Sequence, residues 1–268
     1  MKKHLQIFVI VTVFLLALFM TGCSAPPDDA FILDTDRLAE GVYTFATKMV
    51  NNDVTVDYDT VYTVKKYVDE NGRRMIRIES SGEKNGETIY SKNELLGEEA
   101  EGRTAMTPVS VYMEYKNSNN SQSDVTVSVK HSISDGRFDI EVQQYPQGSM
   151  EIQTSNYTVE AAKQYYDSET LPFIISCLTL EKDLSLNFTL SSSNRDSVQS
   201  MVLTVADTTT ITVGENEIEC YAVIIRPNTP FTNYATYMYY SVEDNSLVKI
   251  QQDTISFTLK SIDALPAE

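Results

Sequence analysis

Apolar side chains fall at every second position in Val125-Thr126-Val127-Ser128-Val129, in Phe138-Asp139-Ile140-Glu141-Val142, in residues 184–190 and in Ile255-Ser256-Phe257-Thr258-Leu259. A period of two sends alternate side chains to opposite faces of an extended strand, so each run has one face to bury and one to keep wet. Turn formers stand between the runs: Asn71-Gly72, Asn85-Gly86, Asp135-Gly136, Gln147-Gly148 and Glu243-Asp244-Asn245-Ser246. The chain is therefore expected to be mainly β, an antiparallel meander whose dry face needs a cover. Its aromatic residues, 16 Tyr and 10 Phe with no Trp, suit strands.

Two stretches depart from this pattern. Residues 34–50 carry Leu38, Val42, Phe45 and Met49 at helical spacing, yet are rich in strand formers after Gly41; they read as a brief helical turn and then a strand. Residues 159–178 predict a helical interruption. Val159-Glu160-Ala161-Ala162-Lys163-Gln164-Tyr165-Tyr166 holds good helix formers, and Leu171-Pro172-Phe173-Ile174-Ile175-Ser176-Cys177-Leu178 is a compact apolar block with Pro172 suited to a first turn. A block that is apolar on all sides must be enclosed, so it is expected to lie as one or two short helices across or inside the sheet.

At the start of the chain, Lys2 and Lys3 precede an apolar run over residues 5–20. That run is short for a bilayer span, which takes about 20 apolar residues, and it ends in small residues, as a secretion signal does. Its end, Met20-Thr21-Gly22-Cys23, resembles the lipobox of bacterial lipoprotein precursors, with Met20 where that family prefers leucine. The resemblance implies cleavage between Gly22 and Cys23 and acylation of the Cys23 thiol by palmitate-like chains. Residues 1–22 would then be a signal peptide, 23–33 a lipidated tether and 34–268 a single β-rich domain. The domain would sit on the extracytoplasmic side of a bacterial cell membrane or outer membrane, in the cell envelope. Two acyl chains hold a protein there stably where one does not. The other reading of the same residues is an uncleaved signal anchor with Cys23 as an ordinary thiol.

Lys and Arg total 21 against 38 Asp and Glu, a net charge of −17, and loss of Lys2 and Lys3 on processing makes the remainder more negative still. Such a surface repels phosphate backbones and anionic headgroups, so nucleic acid is not an expected partner. Cys177 and Cys220 remain after processing. An exported chain can oxidise them, and isolated cysteines in apolar surroundings also serve as small buried hydrophobes; both readings stand at this level. No spacing suggests metal ligands, and no cofactor is expected.

The succession of an apolar block (residues 171–180), a strand (184–190), strands around a turn (209–225), an aromatic hairpin through Tyr237-Met238-Tyr239-Tyr240-Ser241 and Lys249, and a last strand at Phe257-Thr258-Leu259 resembles exported bacterial β-proteins related to the outer-membrane lipoprotein carrier. The resemblance implies a strongly curved antiparallel sheet, like a half-opened barrel, with helices or loops in its hollow. In the carrier the hollow accepts acyl chains. A chain with its own lipid anchor departs from a soluble shuttle.

Catalytic groups are sparse. His131 precedes Ser132 and Asp135-Gly136, but no nucleophile elbow accompanies them, so it reads as a surface residue of a strand. Asp53, Asp57 and Asp59, or Asp69 and Glu70, lack the spacing of a calcium loop. The candidate site is apolar: Phe173, Ile174, Ile175 and Leu178 against Tyr237, Tyr239 and Tyr240. These residues would either line a cavity for an acyl chain or form the core beneath the sheet, and filled interiors are the rule. The expected function is a non-enzymatic binding or interaction module, with a carrier or binder of lipid or another apolar ligand as the alternative. Expected partners are the membrane, through the N-terminal lipid, and an apolar ligand or a cell-surface protein.

Overall fold

The computed structural model describes residues 32–266 apart from 52–53, 101, 120–123, 135–136, 147–152, 161–164, 193–194 and 230–233. Phe31–Glu268 forms one compact unit. A short 3-10 turn at Thr35–Arg37, capped by the Asp34 carboxylate, leads into the first strand. The lipobox residues Gly22 and Cys23 lie outside the described residues.

Fifteen strands form one sheet among the described residues. In chain order they are β1 Gly41–Asn51, β2 Val54–Val68, β3 Arg74–Lys84, β4 Glu87–Leu96, β5 Pro108–Asn117, β6 Val125–Ser134, β7 Arg137–Pro146 and β8 Gln153–Glu160. After β9 Tyr165–Asp167 and helix α1 Leu171–Ser176 come β10 Ser185–Ser192, β11 Arg195–Val213, β12 Asn216–Pro227, β13 Thr236–Ser241, β14 Leu247–Gln252 and β15 Ile255–Asp263.

The chain starts in the middle of the sheet at β1, walks outward strand by strand to β8, reappears at the opposite edge as β9, and walks back until β15 pairs with β1. All pairings are antiparallel except β9 with β10. The two edge strands are thus consecutive in sequence. Curvature brings β8 against β11 and β9 against β5 without hydrogen-bonding the edges together, so the sheet is a curved, unclosed barrel. No helix among the described residues is long and apolar enough to cross a membrane.

Local chemistry sets the hairpins. Asn85 and Gly86 both take positive φ, 51° and 81°, as the tight turn between β3 and β4 requires. At the β2–β3 turn the Asp69 carboxylate accepts from the backbone N–H groups of Asn71 and Arg73, and Gly72 supplies the positive φ. Strand β2 runs unbroken over 15 residues, and β11 is one strand bent at a register shift between Val205 and Thr208. Among the described residues of the expected interruption, helix is confined to Leu171–Ser176; Val159 and Glu160 end β8, and Tyr165 and Tyr166 pair with Thr189 and Leu190. Pairing to a sheet edge outweighs the weak helix preference of so short a segment.

Helix α1 is the cover that the dry face needs. All six of its residues are buried. Phe173 packs between Tyr43 and Tyr62, with ring centroids 5.5 and 5.2 Å away. The Tyr240 hydroxyl donates to the Pro172 carbonyl at 2.7 Å, and Asn245 Nδ2 donates to the carbonyls of Ser176 and Leu178 at 2.8 and 3.0 Å. These carbonyls at the helix end have no helical donor ahead of them, so Asn245 serves as a cap supplied by the β13–β14 turn. A helix this short does not form alone, and the sheet holds it.

Candidate functional site

Register identifies the inward face of the sheet. Tyr43, Phe45, Thr47 and Met49 of β1 stand opposite Tyr62, Thr60, Tyr58 and Val56 of β2, and opposite Ile262, Leu259, Phe257 and Ile255 of β15. Contact between Tyr62 and Phe173 of α1 fixes this face as the concave one. On β3 and β4 the same face carries Ile78, Ser80 and Gly82 and then Asn93, Ser91 and Ile89.

This face is filled unevenly. Beside α1 it is closed: Phe45 and Phe173 are each 1% exposed, and Val64, Ile78, Leu95, Val223 and Tyr240 are equally buried. A belt of small polar side chains follows, where Thr47 and Thr60 share a 2.6 Å hydroxyl hydrogen bond and Ser80 and Ser91 one of 2.8 Å. Beyond the belt the face stays apolar but opens. Tyr58, Ile255 and Phe257 are only half-buried, and Ile89 is 49% exposed. The helix covers one half of the hollow and leaves the other.

Glu169 precedes α1. It sits in the turn between β9 and α1, where its backbone N–H donates to Asp167 Oδ1 at 2.9 Å. The residue is exposed. Partial loss of hydration, with the Asp167 charge adding to it, pushes the carboxyl up to about 7. The Tyr62 phenol is raised well above its usual range, first by burial and then by the charge of Glu169 and by Tyr58.

The structure brings together Phe173, Ile174, Ile175, Leu178 and Tyr240, all buried in the closed half. Tyr237 and Tyr239 pair with Ile224 and Ala222 and point to the convex face, Tyr237 being 42% exposed. Alternation itself separates them from Tyr240, with the β-bulge between Tyr239 and Tyr240 adding to the divergence. Cys177 and Cys220 are buried free thiols. Burial raises both, Cys177 to about 12 and Cys220 to about 11.

His131 corrects the surface expectation. It shares the phase of Val127 and Val129 on β6 and is 6% exposed, with its ring 5.8 Å from that of Tyr165. Neither ring nitrogen has a hydrogen-bond partner, and burial, with the nearby Arg103 charge, lowers it to about 4. Asp53 and Asp135 lie outside the described residues. Asp59 is engaged by Lys260 and Asp69 by Arg73, each at 2.8 Å, and the described residues hold no group of three metal-ligating side chains.

Sequence reasoning missed Glu169, Tyr58 and Tyr62. Two tyrosines four apart in a strand share a face, which is a legible signal; a lone glutamate in a turn carries none.

No protein-family model matches the chain, and no curated protein matches it. Among solved structures it is similar to a beta-barrel-like protein of domain of unknown function DUF1849 from Brucella abortus, at 10% identity and a TM-score of 0.51, covering 86% of this chain and 99% of that one. The likeness is one of fold: a mainly β, barrel-like sheet.

Proposed function

We propose that this chain is a lipid-anchored, extracytoplasmic and non-enzymatic binding module that takes an apolar or amphipathic ligand on the open half of its concave face. The observation that carries the reading is the contrast along one face. Phe45 is 1% exposed, while Tyr58, Ile255 and Phe257 on the same face are only half-buried and Ile89 is 49% exposed. Apolar side chains that converge in a hollow and remain wet are the usual lining of a ligand site. The lipobox resemblance at Cys23 supports the anchor, and the chain's acidity keeps the domain off anionic lipid surfaces.

The test is a titration with the uncharged dye Nile red, using the chain from residue 23 with Cys23→Ser. Blue-shifted, enhanced emission that falls at least several-fold in Ile89→Glu, with circular dichroism unchanged, is the expected result. Emission no stronger than in buffer contradicts the reading.

A further inference from the structure

We infer that residues 165–170 are an acid-released strap: a proton taken up by His131 on β6 frees β9 from it and opens the side of the hollow between β5 and β9. That a ligand passes this way rests on the reading of the concave face as a binding site; the strap itself does not.

Topology leaves β9 weakly held by its backbone. It has three residues, stands at an edge of the sheet and makes the one parallel pairing among the described residues, with β10. It lies against β5 without a ladder of hydrogen bonds, so side chains hold this seam. The Tyr166 and Thr104 hydroxyls share a hydrogen bond of 3.1 Å, and the Tyr165 ring stands edge-on to the His131 imidazole with 5.8 Å between centroids. Tyr165, Tyr166, Asp167 and Thr170 are fully buried, and the Thr170 hydroxyl donates to the Asp167 carbonyl at 3.1 Å where the strap turns into α1. Helix α1 is pinned separately, by Tyr240 and Asn245, and can stay in place when the strap leaves.

His131 is the acid-sensitive contact of the seam. It is 6% exposed, and neither of its ring nitrogens has a hydrogen-bond partner. Neutral imidazole packs there as an apolar plate, whereas imidazolium would be a buried charge with two unsatisfied donors. Its surroundings do not compensate. Val127 and Val129 share its face on β6, Val111 is the register partner of Val129 on β5, and on β7 the partners of His131 and Val129 are Ile140 and Val142, none of which titrates. Lys130, Asp139 and Glu141 occupy the alternate positions of their strands, on the other face. In the loop that packs on the seam, Glu98 and Glu99 are exposed, while Arg103 is 5% exposed and its charge opposes a second positive one. On β9, Tyr165 is the group in contact, and Asp167, two positions on, accepts the Glu169 N–H at its Oδ1. A proton therefore favours the state in which His131 reaches water, and release of the short edge strand that covers it is the smallest opening that does so.

Hydrogen–deuterium exchange read by mass spectrometry tests the strap on the chain from residue 23 with Cys23→Ser, at about pH 7 and about pH 5, with each amide compared with its intrinsic rate at that pH. Peptides covering residues 165–170 are expected to lose about tenfold of their protection at the lower pH while those of β1 and β2 keep theirs. His131→Gln, which takes up no proton there, should show equal protection of residues 165–170 at both pH values, and His131→Phe repeats the test should the glutamine variant not fold. Unchanged protection of residues 165–170, a loss shared equally by β1 and β2, or a loss that persists in a folded His131 variant overturns the strap. Nile red then reads the ligand route: association about tenfold faster at the lower pH, and not in His131→Gln, supports entry past the strap. An exchange response without dye binding at either pH contradicts the binding reading and leaves the strap standing, whereas dye binding without an exchange response overturns the strap alone.

Discussion

The Tyr240 hydroxyl donates to the carbonyl oxygen of Pro172 at 2.7 Å, across 68 residues of sequence, and so pins helix α1 to strand β13 inside the hollow. The phenol is fully buried, and burial holds it un-ionised, well above its usual range, so the donor is present at every working pH.

Tyr240→Phe keeps the ring and removes the donor. We expect a loss of about 1–2 kcal/mol, the cost of a buried hydrogen bond with its acceptor left behind. Urea unfolding followed by far-ultraviolet circular dichroism measures it; an unchanged midpoint contradicts the pinning role.

Asn245 has two jobs, a positive φ of 60° and two hydrogen bonds to the carbonyls that follow α1. Asn245→Gly preserves the first and loses the second, whereas Asn245→Ala loses both. The glycine variant should lose about 1–2 kcal/mol and the alanine variant about 1 kcal/mol more. Equal stability of the two variants would show that backbone conformation contributes nothing there.

Phe173→Ala empties the space between Tyr43 and Tyr62, and a buried phenylalanine truncated to alanine costs about 3–5 kcal/mol. Because α1 is the plug of the closed half, the variant should also increase Nile red emission by extending the hollow. Thermal unfolding and the dye titration read the two effects separately.

His131 makes stability fall in acid. Its folded-state value, lowered to about 4, lies below the ordinary 6.5, so between those limits the unfolded chain binds a proton that the folded chain excludes. Stability from this group is complete above about pH 6.5 and declines as the pH drops toward 4. The groups around it are the Arg103 charge and the Tyr165 ring. His131→Phe should flatten the melting temperature between pH 6.5 and 4; an unaltered slope would assign the acid sensitivity elsewhere.

The buried thiols should be inert. With Cys177 raised to about 12 and Cys220 to about 11, the thiolate is scarce at neutral pH and the sulfurs are covered. Neither should react with a thiol reagent in the folded chain, and both should react promptly in denaturant.

Much of the sheet is legible because inner-face residues in β6, β10 and β15 keep a strict two-residue period. The period fails where the inner face turns polar. Thr60 breaks β2 in any hydropathy reading, yet its hydroxyl is satisfied by Thr47 on β1, a partner that only the fold supplies. In β11 the register shift between Val205 and Thr208 changes the phase, so one bent strand reads as two. The apolar block at 171–178 announced an enclosed helix, but not that it would fill only half of the hollow. Pairing of β1 with β15, which sets the curvature, joins chain segments some 200 residues apart and leaves no local mark, as the contact of Lys260 with Asp59 illustrates.

Whether the open half of the concave face holds a ligand is read most directly by native mass spectrometry of the chain from residue 23 with Cys23→Ser, purified without detergent from a bacterial envelope. We expect added mass that extracts into organic solvent and is lost in Ile89→Glu while circular dichroism stays the same. A clean protein mass, unchanged after incubation with decyltrimethylammonium and with dimethyldecylphosphine oxide, would contradict a ligand-binding hollow and turn attention to the convex face.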